Sequence, residues 1–333
     1  MSLRVERAGL LTTVQDLGRH GFQHLGVMVN GAMDELSHRM ANALVGNAED
    51  DATLELTLSG PTLRLGCDAV IAVCGADMDA RVDGQPLPSW RPARVPAGAR
   101  LEFGRATRGA RAYLAMAGGF DLPPVMGSRS TAQRGGFGGF RGRALRRGDV
   151  IPLRSPEEAH TPRWVRLLSR ARRGVAYPSW SVAHTEVPMP REGQVIRAVP
   201  GRHWQTFTLK TREQFAGVPY RVLLDSDRMG YRLEGLALAA PRGGDVLSEG
   251  MATGAVQVPP SGQPIVLMAD RATTGGYPVL AVVAAVDLPL MAQLAPGDQL
   301  RFELITVLES HALLAARERQ LARTAEALRA QLA

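Results

Sequence analysis

The sequence predicts a mainly β protein of barrel-like plan, and three observations carry that prediction. Short apolar or alternating runs of strand length recur at 53–58, 69–73, 100–103, 110–115, 165–168, 194–199, 220–224, 254–258 and 265–268. Turn-forming groups separate them, among them Asp83-Gly84, Pro96-Ala97-Gly98, Gly148-Asp149 and Pro296-Gly297-Asp298, in a chain with 36 Gly and 22 Pro. The runs do not alternate with helix-length patterns and no G-x-G-x-x-G segment occurs, so a doubly wound nucleotide-binding sheet fits poorly.

Two helices interrupt this pattern. Asp34 can cap a helix whose apolar stripe is Leu36, Met40 and Ala43/Leu44, with Gly46 at the C′ position. Its polar face carries His38, Arg39 and Asn42. The capped end points toward the Asn30-Gly31-Ala32 turn, so Asp34 reads either as a cap alone or as part of an electropositive, carboxylate-binding end. The segment 309–333 sets Leu314, Leu321 and Leu328 at seven-residue steps and predicts a closing helix that docks on its own domain or on a neighbouring chain.

Between these helices the chain divides. Residues 154–192 are charged, proline-bearing and weakly periodic, which predicts a linker between an N-terminal barrel-like domain at 1–153 and a C-terminal one at 193–308. The two halves end alike, in Gly148-Asp149-Val150-Ile151-Pro152-Leu153 and Gly297-Asp298-Gln299-Leu300-Arg301-Phe302, a faint sign of a duplicated β unit. The length of 333 residues, 45% of them hydrophobic, also suits two cores better than one.

Composition narrows the functional classes. No run approaches the ~20 apolar residues of a membrane span, and the first residues lack the hydrophobic stretch of a signal peptide, so a cytoplasmic protein is expected. Cys67 and Cys74 flank a strand-like run, too far apart for a disulfide. The net charge is +7, nearly all of the positive charge being arginine, since Lys210 is the only lysine. One dense patch, Arg134 to Arg147, interleaves arginine, glycine and Phe137 and Phe140 as RNA-binding segments do. Such segments usually repeat within disordered tails, whereas this one occurs once between folded-looking stretches, and it reads as a structured anion-binding or partner-facing loop. No P-loop and no G-x-S-x-G nucleophile elbow occurs, and only His20 and His24 have a metal-like spacing, in a glycine-flanked stretch that argues against a metal site. Catalysis is then left to carboxylates, arginines and amides.

The stretch 265–278 concentrates those groups. An apolar run, Ile265-Val266-Leu267-Met268, opens into Asp270, Arg271, Thr273, Thr274, Gly275, Gly276 and Pro278, as a strand does at the rim of a barrel. The paired glycines allow close backbone approach to a ligand. Similar corners stand at Gln15-Asp16-Leu17-Gly18-Arg19, Gly127-Ser128-Arg129-Ser130-Thr131 and Ser226-Asp227-Arg228-Met229-Gly230. Asp270 or Asp16, if buried, is a candidate base; Arg228 and Arg129 offer planar two-pronged donors for a carboxylate or phosphate; Gln15, Asn42 and Gln257 match the donor and acceptor of an amide. Equally, Asp16 with Arg19, or Asp227 with Arg228, can be ion pairs at strand ends.

These corners, with 30–34, 41–47, 117–120 and 254–259, occur in order along the chain and resemble the carboxyltransferase subunit 2 family, also called allophanate hydrolase subunit 2. That family includes the C subunit of ATP-dependent 5-oxoprolinase, the Kip antagonist and a region of urea carboxylase. The resemblance implies two cyclophilin-like β-barrel domains with few short helices. It also implies a protein that opens 5-oxoproline to glutamate only with partners resembling the A and B subunits of that complex, using ATP through the assembly. It admits as well a carboxyltransferase that takes biotin from a partner protein, or a non-enzymatic antagonist that binds a kinase-inhibitor protein. The enzymatic reading expects the four corners to share one cleft, with Asp270, Asp16 and Arg228 as catalytic groups and Gln15, Asn42, Arg129, Gln257, Gly275 and Gly276 as substrate-binding ones.

Overall fold

A computed structural model describes residues 1–154, 174–182, 189–241 and 246–332. The strand expected at 165–168 and most of the expected linker lie outside the described residues. The chain forms two compact units, one of Met1–Arg19, Asn30–Met189 and Gln320–Ala333, the other of His20–Val29 and Pro190–Arg319.

The first unit contains two sheets. Strands β1 (Ser2–Arg7), β4 (Thr62–Leu65), β6 (Arg81–Val82), β7 (Gln85–Pro86), β9 (Arg100–Glu102) and β11 (Val150–Pro152) form one, in the order β11-β1-β4-β9-β6-β7. The other is β2-β3-β10-β5-β8, from β2 (Leu11–Gln15), β3 (Thr53–Thr57), β5 (Ala69–Asp77), β8 (Pro92–Val95) and β10 (Arg108–Met116). Alternation decides which face each side chain takes. Val14, Leu54, Leu56 and Leu114 point to the core shared with Leu3, Val5, Leu63, Leu65 and Leu101 of the first sheet. The opposite face of the second sheet carries Ala72, Cys74, Tyr113 and Ala115, against which helix α1 (Glu35–Leu44) packs Leu36, Met40, Ala41 and Leu44. The sheet is therefore covered on both sides, so its polar positions are buried too.

Helix α1 starts where the sequence predicts. The Asp34 carboxylate accepts from the Ser37 amide at 2.9 Å and from the Ser37 hydroxyl at 2.6 Å, and Gly46 follows the helix at φ 74°. Cys67 and Cys74 are free thiols.

The second unit closes into a barrel, in the order β12-β19-β16-β17-β14-β13-β20. Its strands are β12 (Gln194–Pro200), β13 (Tyr220–Val222), β14 (Gly230–Glu234), β16 (Ala255–Gln257), β17 (Ile265–Leu267), β19 (Val279–Val283) and β20 (Gln299–Leu304). All neighbours are antiparallel except β12 and β20, whose parallel pairing seals the ring. Phe215 of α2 (Leu209–Gly217) stacks on Phe302 at 4.5 Å between centroids, and Tyr220 tilts onto both. Outside the barrel, β15 (Glu249–Gly250) pairs with β18 (Thr274–Gly275). After α3 (Leu288–Ala292) and β20, helix α4 (Val307–Leu332) ends the described chain; Leu321 and Leu328 join the core around α1.

The arginine-glycine segment is a folded loop in the first unit. Phe137 lies under the Arg19 guanidinium at 4.9 Å, Arg143 pairs with Asp149, and Gly139 donates to the Arg129 carbonyl. Gly142, at φ 66°, has so close a neighbour that a Cβ there would stand 2.1 Å from the Gly136 backbone. Gly148 has φ 92° but open space around it. Gly142→Ala is therefore expected to destabilise by roughly 3 kcal/mol or more, from strain plus overlap, and Gly148→Ala by about 1 to 2 kcal/mol from strain alone. Urea unfolding of the two variants checks the difference; equal losses would mean that the loop does not pack as described.

Candidate functional site

The residues expected to converge fall into two groups, one in each unit: Gln15, Asp16, Asn42 and Arg129 in the first, Arg228, Gln257, Asp270, Gly275 and Gly276 in the second.

In the first group, β2 ends at Gln15 and the next residue gathers a loop. The Asp16 carboxylate accepts from the Gly18 amide at 2.8 Å, the Ser128 hydroxyl at 2.7 Å, the Ser130 hydroxyl and the Arg129 amide. Arg19, fully buried, donates to the carbonyls of Val125 at 2.9 Å and Ser130 at 2.9 Å and to Asn30 Oδ1 at 3.2 Å. Asp16 thus holds the donors of segment 125–130 and Arg19 its acceptors. Both Asp16 oxygens are engaged by four donors, so the residue organises the loop.

Arg129 is placed differently. Its Nε donates to the Leu122 carbonyl at 2.8 Å, which fixes the plane of the guanidinium, and its terminal nitrogens have no partner among the described residues. Asn42 serves the turn after α1. Its amide donates to the Asp51 carbonyl at 2.6 Å and its oxygen accepts from Asn47, so it fastens the turn after α1 and has little capacity left for a substrate.

The second sheet also carries a polar face that the sequence does not announce. Thr13, Glu55 and Tyr113 stand opposite one another across β2, β3 and β10, with Gln15 opposite Thr53 and Thr57 opposite Arg111. Glu55 accepts from the Tyr113 hydroxyl at 2.8 Å and the Met33 amide at 2.9 Å, with Arg111 Nε at 3.9 Å, and the Tyr113 oxygen accepts from the Asp34 amide at 2.8 Å. Burial, then the charges of Glu55 and Asp34, hold the Tyr113 hydroxyl well above its usual range, so it remains a donor. His38 lies between the Thr53 hydroxyl at 2.9 Å and the Glu49 carbonyl at 3.1 Å, and burial pulls it down to about 4. It is a neutral imidazole at pH 7, with Nε2 donating to Glu49 and Nδ1 accepting from Thr53. The available signal is the strict alternation of Thr53-Leu54-Glu55-Leu56-Thr57, which on its own reads as a solvated face.

Gln15 Oε1, in a fully buried side chain whose Nε2 donates to Thr13 at 3.0 Å, and Thr57 Oγ1 lack partners among the described residues. A buried acceptor left unmade costs about 1–3 kcal/mol.

In the second group, β17 continues to Asp270, whose amide donates to the Arg228 carbonyl at 2.7 Å. The Arg228 guanidinium returns two bonds to the Asp270 carboxylate, at 2.9 and 3.0 Å, with both residues buried. Asp227 serves the turn, accepting from the Met229 and Gly230 amides, so the ion pair is Arg228 with Asp270 rather than with its neighbour. The guanidinium fork thus occupies both Asp270 oxygens. Arg271 donates to the Met251 carbonyl at 2.9 Å, and burial lowers its guanidinium from the usual range. Gln257 Nε2 donates to the Tyr277 carbonyl at 3.3 Å, and Gly275 lies so near it that a Cβ would stand 2.7 Å away. A side chain at 275 would therefore push the end of Gln257 aside. Gly276 accepts from the Val246 amide at 2.9 Å. Beside this strand Glu249 pairs with Arg202, and His203 Nδ1 accepts from the Val279 amide at 3.0 Å, contacts that no sequence motif marks.

Against known proteins, residues 25–304 match the family model described as carboxyltransferase domain, subdomain A and B. The chain is 40% identical over 302 residues to the C subunit of 5-oxoprolinase from Escherichia coli strain K12, covering 90% of each chain. It is 32% identical over 315 residues to urea amidolyase of Saccharomyces cerevisiae, covering 90% of this chain but 16% of that protein. The crystal structure of Kluyveromyces lactis urea carboxylase superposes with a TM-score of 0.86 at 29% identity, over 96% of this chain and 29% of that one.

Two measurements follow from this geometry. Arg228→Ala leaves a buried carboxylate without its partner and should cost about 3–5 kcal/mol, while Arg228→Met combined with Asp270→Leu should restore much of the loss; urea unfolding that found the single change harmless would refute the clamp. For His38, the unfolded chain takes up a proton near pH 6.5 that the folded chain refuses until about pH 4, so its contribution is present above 6.5 and lost as pH falls. Between about pH 7.5 and pH 5 this amounts to ~2 kcal/mol, and His38→Gln should lose that part of the acid slope. Parallel pH–stability curves for the two proteins would exclude it.

Proposed function

The chain belongs to the carboxyltransferase family of subdomains A and B, and from that premise we propose that it is the C subunit of an ATP-dependent 5-oxoprolinase, acting with A-like and B-like partner subunits in the cytoplasm. One observation carries this reading: 40% identity to a 5-oxoprolinase C subunit, extending over 90% of both chains. The reaction adds water across the lactam C–N bond, and the ring nitrogen leaves as the amine of glutamate. A five-membered lactam is a stable amide, so phosphorylation of its carbonyl oxygen by ATP supplies the driving force.

This chain's own groups fit the substrate rather than the nucleotide. Its single lysine, Lys210, is exposed on α2, and no P-loop segment occurs, so a phosphate cradle of that kind belongs elsewhere in the complex. Arg129 offers two terminal nitrogens, aimed by the Leu122 carbonyl, to the substrate carboxylate. Gln15, in the same unit as Arg129, offers an amide group to the lactam. Asp16 and Asn42 contribute by position, holding the loops from which those groups project. In the other unit the Arg228–Asp270 pair holds the strand end near Gln257.

The likeness to urea carboxylase over nearly the whole chain supports a second reading, a carboxyltransferase that receives carboxybiotin from a partner. The chain spans only 29% of that protein, and identity to the 5-oxoprolinase component is higher, so the lactam reading is preferred.

Co-expression with the two partner subunits should give ATP-dependent release of glutamate from 5-oxoproline, lost when this chain is omitted; the chain alone should be inert. Copurification of an avidin-reactive carrier, with no glutamate formed, would favour carboxylation instead. In the active complex Arg129→Ala should raise KM for 5-oxoproline about 10- to 100-fold, the worth of a charge-assisted bond, with KM for ATP unchanged. An unaltered KM for 5-oxoproline would remove Arg129 from the site.

A further inference from the structure

Three amide side chains are candidates for reading an amide substrate, and their surroundings separate them. Asn42 is saturated by the turn after α1, and Gln257 is held at Nε2 by the Tyr277 carbonyl. Gln15 also fixes Nε2, on Thr13, but its side chain is fully buried, so its Oε1 is sealed from solvent with no donor among the described residues. Turning the amide over does not remove the mismatch, because the Thr13 hydroxyl would then donate to Oε1 and the two Nε2 hydrogens would face outward. In either orientation the outer end of the amide is unmatched, which native interiors rarely tolerate without a reason.

The neighbours make this end a built feature. Thr53, across from Gln15, is tied to His38, and Thr13 is flanked by the Glu55–Tyr113 pair, so the side chain is fenced on a rigid sheet. Thr57 Oγ1, on the same face, is likewise unmatched among the described residues. The residue after Gln15 is Asp16, whose carboxylate accepts the backbone amide of Arg129, so the strand end that carries Gln15 is itself held in place. A fixed, unmatched acceptor complements a ligand N–H.

We infer that Gln15 Oε1 accepts the ring N–H of the lactam and so sets the preference for an amide over an ester. The inference rests on the 5-oxoprolinase reading and deepens it by naming the atom that recognises the nitrogen. A lactone of the same shape presents a ring oxygen there, acceptor against acceptor, and is rejected.

In the assembled complex Gln15→Leu is expected to raise KM for 5-oxoproline at least about tenfold with KM for ATP unchanged. The melting temperature of the isolated chain should hold or rise, because the substitution removes an unmatched acceptor. A purely structural glutamine gives the reverse pattern, lower stability and unchanged KM, and that result overturns the inference. A second readout is independent of turnover. With 15N-glutamine labelling of the isolated chain, 2-pyrrolidinone should move the side-chain amide resonance of Gln15, assigned by its loss in Gln15→Leu, and γ-butyrolactone should not. A Gln15 resonance that stays in place while lactam is raised until surface amides respond, or one moved equally by the lactone, overturns the inference whatever the complex does. If the complex releases no glutamate from 5-oxoproline yet the Gln15 resonance responds selectively to lactam, the functional reading falls and this inference stands.

Discussion

Two buried charges three residues apart, Asp16 and Arg19, grip the same loop from opposite chemical sides. The carboxylate collects hydroxyl and amide donors of Ser128, Arg129 and Ser130, while the guanidinium collects the carbonyls of Val125 and Ser130. Neither charge is left bare, because each is neutralised by fixed dipoles of a segment that would otherwise have no regular hydrogen bonds. The end of β2, the loop that carries Arg129 and the glycine loop stacked on Arg19 through Phe137 are consequently one rigid piece. Every role given above to Gln15 or Arg129 presupposes that rigidity.

The second unit reaches the same end by other means. There a guanidinium and a carboxylate meet directly, Arg228 with Asp270, and the backbone between them is hydrogen-bonded as well. Direct pairing of buried charges is stiff but adds little net stability over an apolar pair. Its value lies in fixing where β17 ends and where the strand carrying Gly275 begins, and so in holding Gln257 against that glycine.

Much of this plan is legible in the sequence because it follows local rules. The Asp34 cap and Gly46 stop of α1, the short strands of the barrel and the ordered state of the arginine-glycine loop all follow from residue type and spacing. What escapes depends on partners far along the chain. Glu55 sits in an alternating strand that reads as half-solvated, and only the packing of α1 on that face turns it into a buried carboxylate. Asp227 and Arg228 are adjacent, yet Arg228 pairs with a residue 42 positions away while Asp227 shapes a turn. Residue type and setting mark Asp16 and Asp270 as carboxylates of interest, but the count of donors around each, which decides between a base and an anchor, is a property of the folded chain alone.

The seal of the barrel has a temporal consequence. Gln194 pairs with Leu300 and Ala198 with Leu304, so the first strand of the second unit finds its parallel neighbour only in the last. Closing so long a loop is entropically late, and until it happens β12 offers a bare edge to any extended peptide nearby. During synthesis on the ribosome this unit therefore remains an open, association-prone sheet until residue 304 has emerged, a window in which a chaperone or a cognate protein has the most to shield.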